Sequence, residues 1–139
     1  MILPQFYTDD IIKRAILEDI NYVDVASDYL ISEEQRDEAY FVSKADGVLC
    51  GIDVAMRVFE LLDDSFTAKV YMHDGDKVKK GDLIAEFRGK TTLLLKGERT
   101  ALNLLQHMSG IATATAKAVK LCEGTKASIA DTRKTLPSL

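Results

Sequence analysis

Two adjacent cations near the end of the chain, Arg133 and Lys134, are the residues whose types most clearly suggest chemistry. They follow an apolar segment at 127–131, which predicts a short strand, and the hydroxyls of Thr132 and Thr135 flank them. Side chains alternate along a strand, so neighbouring cations can serve one pocket only where the strand turns into a loop. The ends of parallel strands are where α/β barrels and open α/β sheets place ligand-binding groups. Because arginine and lysine bind carboxylate and phosphate oxygens, the sequence predicts an anion site here.

A third cation, Arg99, lies at the start of the longest predicted helix, which begins at Glu98. A positive charge in the first turn of a helix costs about 0.3–1 kcal/mol. Packing or an ion pair with Glu98 would offset that cost. Since most exposed arginines are solvated or paired, position alone leaves the role of Arg99 open.

Hydrophobic periodicity outlines the elements that must position these cations. Helical spacing predicts one helix beginning near Thr8, a second over 52–62, and the long helix ending near Gly124. The long helix contains a run of small residues at 109–116, which allows close packing against another element. Between the helices, Asp-Gly and Gly-Asp turns separate short apolar segments, which is typical of a small antiparallel sheet. The predicted strands lie at 40–44, 48–50, 68–72, around Val78, at 83–87 and, as an extension of the sheet, at 91–95.

The overall composition limits the classes of partner. Eighteen Lys and Arg against 22 Asp and Glu give a net charge of −4, which argues against broad nucleic-acid binding. No apolar run reaches membrane-spanning length, and the first residues lack the pattern of a signal peptide. We therefore expect a cytoplasmic protein with neither nucleic-acid nor membrane partners.

Several common site motifs are absent from the sequence. There is no GxGxxG after a strand and no GxxxxGK[ST], which disfavours a dinucleotide fold and a P-loop. His73 and His107 are isolated from each other and from Cys50 and Cys122, which disfavours a metal site built from them. The cysteines are interpreted as reduced thiols, and the carboxylate pair at 63–64 as a solvated turn.

Three late segments resemble successive motifs of the quinolinate phosphoribosyltransferase family, whose members are also called nicotinate-nucleotide pyrophosphorylases (carboxylating). Further upstream, two glycine-containing turns and the end of the first helix are similar to the N-terminal domain of that family. The resemblance covers essentially the whole chain. The late segments are Glu98–Gln106, Ser109–Thr113 and Asp131–Thr135, and the earlier ones are Glu18–Asp19, Asp46–Gly51 and Asp74–Gly81.

The resemblance implies a two-domain architecture. Residues 1–97 would form an α+β N-terminal domain, an α/β hammerhead-like sandwich. Residues 98–139 would supply the first helix and strand of an α/β barrel. Because a complete barrel needs roughly 200 residues or more, the rest of it would lie outside this chain.

The resemblance also implies an activity and roles for named residues. Family members transfer a phosphoribosyl group from phosphoribosyl pyrophosphate to quinolinate with loss of CO₂, which gives nicotinate mononucleotide for NAD biosynthesis. Thr132, Arg133 and Lys134 would bind these substrates, and Arg99 would reach into the neighbouring site of a homodimer. The remaining catalytic residues are expected beyond Leu139, the last residue of the sequence. Mg²⁺ is implied as the cofactor, with its ligands outside this chain.

Three alternatives stay open at the level of sequence. A phosphoribosyltransferase of the same fold, acting on nicotinate or belonging to the molybdenum-associated homologues, would keep the architecture and change the substrate. A carrier module is a second alternative, because the turn at 74–81 also resembles biotinyl and lipoyl domains, although their modified-lysine triplet is absent. A non-catalytic domain is the third, and we expect the 139 residues alone to be inactive.

Overall fold

The computed structural model describes residues 4–20, 24–132 and 134, which together contain four helices and five strands. Arg133 and Thr135 of the predicted anion site lie outside the described residues. So does Leu139, and the expectation of further catalytic residues beyond it stays a prediction. In chain order the elements are α1 (Gln5–Ile20), α2 (Val25–Leu30), β1 (Arg36–Val42), β2 (Gly47–Val48), α3 (Ile52–Leu62), β3 (Thr67–Val70), β4 (Lys77–Val78), β5 (Leu83–Lys90) and α4 (Thr91–Cys122).

The strands form two antiparallel sheets, as the turn pattern predicted. In the larger sheet β5 is central, with β1 on one side and β3 on the other. The register places Phe41 of β1 opposite Ala85, and Ala68 of β3 opposite Phe87. The second sheet consists of β2 and β4 alone. The connecting turns use Gly75 and Gly81, whose φ angles of 95° and 97° are readily adopted only by glycine.

Several predicted elements differ from the structure, among them the strand expected at 40–44, which is β1 at Arg36–Val42. The helix expected from Thr8 begins earlier, at Gln5. The strand expected at 91–95 is wrong: these residues are the first turns of α4, in keeping with the high helix propensity of their three leucines. The strand expected at 127–131 is not formed either, since residues 127–132 belong to no helix or strand. A strand is stabilised by a neighbouring strand, and no described strand pairs with this segment.

Aromatic packing joins α3 to the larger sheet. Phe59 of α3 is only 1% exposed, and its ring centroid lies 4.9 Å from that of Phe87 on β5. The Phe41 ring on β1 contacts Phe87 edge-on at 4.9 Å, and Phe66 stacks on Phe59 at 5.3 Å. This cluster forms the centre of the hydrophobic core, over which α1 and α4 also pack.

The long helix α4 crosses α3 closely at a glycine. A Cβ atom at Gly97 would lie 2.8 Å from the ring of Phe59, so only glycine permits this approach. Leu94, Ala101 and Leu105 bury the same face of α4 in the core. The proposed boundary between 97 and 98 falls inside this continuous helix, and the division into two domains stays a prediction. None of the described helices combines the length and the apolar character that crossing a bilayer requires.

Candidate substrate-binding site

The position of α4, which carries Arg99, is fixed at its start by a buried carboxylate. Asp63 is 6% exposed and accepts hydrogen bonds from the backbone N–H of Lys90 at 2.8 Å and of Ser65 at 2.9 Å. Burial alone would raise the pKa of Asp63, but the hydrogen bonds from Ser65 and Lys90 outweigh it and hold the pKa below its ordinary value. The prediction of a solvated turn is therefore wrong for Asp63 and holds for the exposed Asp64.

A second carboxylate contacts the first residue of α4. The side-chain hydroxyl of Thr91 donates to Asp37 Oδ2 at 2.7 Å, and its backbone N–H donates to the carbonyl of Gln35 at 3.0 Å. The hydrogen bond from Thr91, with another from the Gln35 side chain, lowers the pKa of Asp37. The start of α4 is thus joined to both β1 and the end of α3, which sets the direction in which the helix leaves the sheet.

Arg99 is held on the surface by an acidic partner from α1. Its Nε lies 3.2 Å from Asp19 Oδ1, and the Arg99 side chain remains 73% exposed. Arg99 lies in the third turn of α4, because the helix begins at Thr91. The expected position in the first turn is therefore wrong, and the ion pair forms with Asp19 where the sequence suggested Glu98. The guanidinium stays accessible to an anion from outside the chain.

A second cation lies one helical turn before Arg99. Lys96 Nζ forms an ion pair with Asp28 of α2, and the Lys96 side chain is only 18% exposed. Residues three apart share one face of a helix, so Lys96 and Arg99 both point toward α1 and α2. The short helix α2 is itself capped by Asp24, whose side chain accepts hydrogen bonds from the Ser27 N–H and hydroxyl at 3.4 and 2.6 Å.

The other predicted site residues lie beyond the end of α4. Thr132 and Lys134 are exposed, and the backbone N–H of Lys134 donates to the Thr132 hydroxyl at 3.2 Å. In the described part of the chain, no hydrogen bond or ion pair connects these two residues to Arg99.

Arg99 lies near the start of α4, whereas Thr132 and Lys134 follow its end in the chain. At about 1.5 Å per residue, the helix places Arg99 about 35 Å from its own C-terminal end at Cys122. The substrate-binding residues predicted from sequence are therefore not assembled by hydrogen bonds or ion pairs within the described residues. The pairings of Arg99 with Asp19 and of Lys96 with Asp28 were not predicted. The three-residue spacing of Lys96 and Arg99 indicates that they share one face of the helix. It does not indicate their acidic partners, which come from distant parts of the chain.

Three cavities among the described residues include none of the predicted site residues in their linings. A groove of about 600 Å³ runs between the turn at 43–47 and α4, with Lys44 and Lys117 at its rim and Leu102 and Leu105 at its base. Over residues 4–20, 24–132 and 134, no group of three or more His, Cys, Asp or Glu side chains could hold a metal ion.

Comparison with known proteins decides the family. Residues 24–109 match the family described as Quinolinate phosphoribosyl transferase, N-terminal domain. The chain belongs to the quinolinate phosphoribosyltransferase family. This result confirms the resemblance based on the sequence motifs, and the structure confirms the mixed α/β fold of the N-terminal domain.

Individual members of this family are similar over nearly the whole chain. A probable nicotinate-nucleotide pyrophosphorylase [carboxylating] from Bacillus subtilis is 40% identical over 93% of this chain and 44% of its own length. The Mycobacterium leprae nicotinate-nucleotide pyrophosphorylase [carboxylating] is 39% identical over 94% of this chain and 47% of its own. The crystal structure of NadC from Streptococcus pyogenes is 37% identical, with a TM-score of 0.93 over 99% of this chain and 49% of that chain. The chain therefore spans about half the length of these members of the quinolinate phosphoribosyltransferase family.

Proposed function

We propose that this chain forms the N-terminal part of an enzyme that transfers a phosphoribosyl group to quinolinate. The reaction would join the pyridine nitrogen to the ribose, release pyrophosphate and CO₂, and give nicotinate mononucleotide for NAD biosynthesis. The observation that carries this proposal is the exposed Arg99 guanidinium, which Asp19 orients in a fold shared with NadC over 99% of this chain. The pyrophosphorylase and quinolinate phosphoribosyltransferase names of the relatives support it.

In this proposal the cations bind the anionic parts of the substrates. Arg99 would contact a carboxylate or phosphate through the side of its planar fork that faces away from Asp19. Lys134 and the neighbouring Arg133 would hold the substrates at the end of the following segment, with the Thr132 hydroxyl as a further hydrogen-bonding group. Mg²⁺ would be bound outside the described residues, and we assign no step of the reaction to it.

We further propose a homodimer in which the two groups of residues come from different subunits. The absence of a hydrogen bond or ion pair between Arg99 and Lys134 among the described residues supports this arrangement, because a two-fold axis can bring different parts of two identical chains together. Arg99 of one subunit would then complete the site that contains Lys134 of the other. The cytoplasmic location and the absence of nucleic-acid partners stay predictions from the sequence.

The decisive experiment measures the release of CO₂ from carboxyl-labelled quinolinate in the presence of phosphoribosyl pyrophosphate. The protein tested is a chimaera of this chain followed by the half of S. pyogenes NadC that the chain does not match. We expect turnover by the chimaera and none by the 139 residues alone. Absence of turnover from a chimaera that unfolds cooperatively would refute the proposed function.

Two variants test the shared site. Arg99→Ala and Lys134→Ala should each reduce turnover by more than 100-fold, in line with the loss of a charged contact to a substrate. Mixing the two variants under conditions of subunit exchange should restore about a quarter of the activity, because one of the two sites in each mixed dimer is intact. No restoration would exclude a site shared between subunits, and an unaltered Arg99→Ala enzyme would exclude the role of Arg99. Lys126→Ala, which changes an exposed cation after α4, serves as the control.

A further inference from the structure

The side chain of Asp19 lies on the side of α1 that faces the core. Ile12 and Ile16 are buried on that side at 0% and 9% exposure, and Asp19 follows Ile16 by three residues, which keeps it on the same side of the helix. The Asp19 side chain is only 21% exposed. A carboxylate that is largely removed from water is costly unless it has a partner. The apolar stripe of α1 therefore ends in a charge that needs a partner from elsewhere.

The position of Asp19 near the end of α1 adds a second cost. Asp19 is the last residue but one of α1, and the C-terminal end of a helix disfavours negative charge. The last turn, residues 17–20, contains no basic residue that could offset this cost. The opposite charge comes from Arg99 on α4, whose Nε lies 3.2 Å from Asp19 Oδ1. The stability of α1 thus gives no reason for an acid at position 19, whereas the contact with Arg99 does.

The contact with Asp19 leaves most of the Arg99 guanidinium available. It involves Nε, and the Arg99 side chain remains 73% exposed. Within the part of the chain that the structure describes, Arg99 has no other ion-pair or hydrogen-bond partner. Lys96, one turn earlier on the same face, has its own partner in Asp28 and does not compete for Asp19. The two terminal amino groups of Arg99 are therefore open to an external anion.

We propose that Asp19 is a positioning residue, whose carboxylate holds the Nε of Arg99 so that both Nη groups face an incoming carboxylate or phosphate. An arginine side chain has much rotamer entropy to lose on binding, and a side chain that is already held loses less of it. The inference rests on the proposed function, in which Arg99 contacts an anionic substrate. A chimaera without turnover would refute that function, whereas an active chimaera that is indifferent to Asp19 would refute only this inference.

The test measures kcat and KM of the chimaera carrying Asp19→Asn, which removes the charge and keeps the shape of the side chain. If Asp19 only repelled the anionic substrates, its neutralisation would lower their KM. Loss of positioning acts in the opposite direction. We expect the KM of quinolinate or of phosphoribosyl pyrophosphate to rise by about 3- to 10-fold, the size of effect that immobilising one long side chain produces. Unchanged or lower KM values for both substrates would overturn the proposal.

Glu18 provides the matched control. It lies in the same turn of α1, is exposed, and has no ion pair or hydrogen bond among the described residues. Glu18→Gln removes the same charge from the same end of the helix, so it should leave both KM values unchanged. Equal rises in KM for Glu18→Gln and Asp19→Asn would refute a specific role of Asp19.

Two further measurements separate positioning from a purely structural role. Because Asp19 acts through Arg99, Asp19→Asn should not lower kcat/KM further in a chimaera that already carries Arg99→Ala. A further fall as large as that in the chimaera with Arg99 intact would overturn the proposal. The urea midpoint of the Asp19→Asn chimaera should stay at the wild-type value, because losing an exposed ion pair is offset by removing an acid from the helix end. A clear fall of that midpoint would show that Asp19 acts through the fold, and would also overturn the proposal.

Discussion

The side chain of Asp63 accepts a hydrogen bond from the backbone N–H of Lys90, with Oδ2 and N separated by 2.8 Å. This contact joins the residue that follows α3 to the residue that precedes α4. The adjacent Gly89 leaves room for it, since a Cβ at that position would lie 2.9 Å from the same carboxylate oxygen. The buried side chain of Asp63 therefore holds the end of α3 next to the start of α4, although β3, β4 and β5 separate the two helices in the sequence.

Replacement of Asp63 by alanine should destabilise the fold by about 1–3 kcal/mol, because the partly buried backbone donors of Lys90 and Ser65 lose their acceptor. Urea denaturation followed by circular dichroism would give the free energy of unfolding. Asp64→Ala is the matched control, and the exposed side chain should change stability by less than about 0.5 kcal/mol. Equal losses for the two variants would contradict the structural role of Asp63.

Two glycines of α4 should respond to alanine in opposite ways. Gly97→Ala places a Cβ 2.8 Å from the Phe59 ring and should destabilise by about 2 kcal/mol through overpacking. A Cβ at Gly110 would have no atom within 4 Å, so Gly110→Ala should stabilise by about 0.5–1 kcal/mol through helix propensity. Thermal and urea unfolding of both variants would measure the difference. A stabilising Gly97→Ala would show that α3 and α4 are farther apart than described.

Two threonines of α4 should also differ when replaced by valine. The Thr100 hydroxyl is buried without a hydrogen-bond partner among the described residues, so Thr100→Val should be neutral or stabilising by up to about 1 kcal/mol. The Thr113 hydroxyl accepts a hydrogen bond from the Val48 N–H at 2.9 Å, so Thr113→Val should cost about 1 kcal/mol. The free energies of unfolding of the two variants should therefore move in different directions. A clear loss for Thr100→Val would reveal a hydrogen bond that the structure lacks.

Stability should fall in acid partly through the ion pair between Asp9 and Arg57. Two hydrogen bonds of 2.9 Å from the Arg57 guanidinium hold the pKa of Asp9 below its ordinary value of 3.8. Because the pKa of Asp9 is lower in the folded state, its ion pair stabilises the fold fully at pH values above the unfolded-state pKa. This contribution disappears as the pH falls through the folded-state pKa. Melting temperatures of the Asp9→Asn variant should consequently decline less steeply than wild type below about pH 4. Parallel curves for wild type and Asp9→Asn would refute the assignment.

The elements with strong local patterns could be predicted from the sequence, whereas distant pairings could not. The apolar periodicity of 52–62 gave the bounds of α3, and the short apolar segment at 83–87, which follows a Gly-Asp turn, identified β5. The segment 91–95 was misassigned because its apolar run fits a strand as well as a helix, and contacts from Asp37 and Asp63 fix its start. At the candidate site, motif similarity identified Arg99, but no local pattern indicates that Asp19 would be its partner. That Arg99 and Lys134 serve one site stays a prediction from the resemblance, since no hydrogen bond or ion pair joins them in the described residues.

Because α4 is one continuous helix, a change in the orientation of its first half also moves its C-terminal end. The first half of α4 packs against the core, and residues 109–122 extend about 21 Å beyond Met108. A tilt of the first half of α4 by about 5° would therefore displace Cys122 by about 2 Å. Small changes in packing around Phe59 and Gly97 would be amplified along this arm. The position of the residues that follow Cys122 thus depends on how closely Gly97 packs against Phe59.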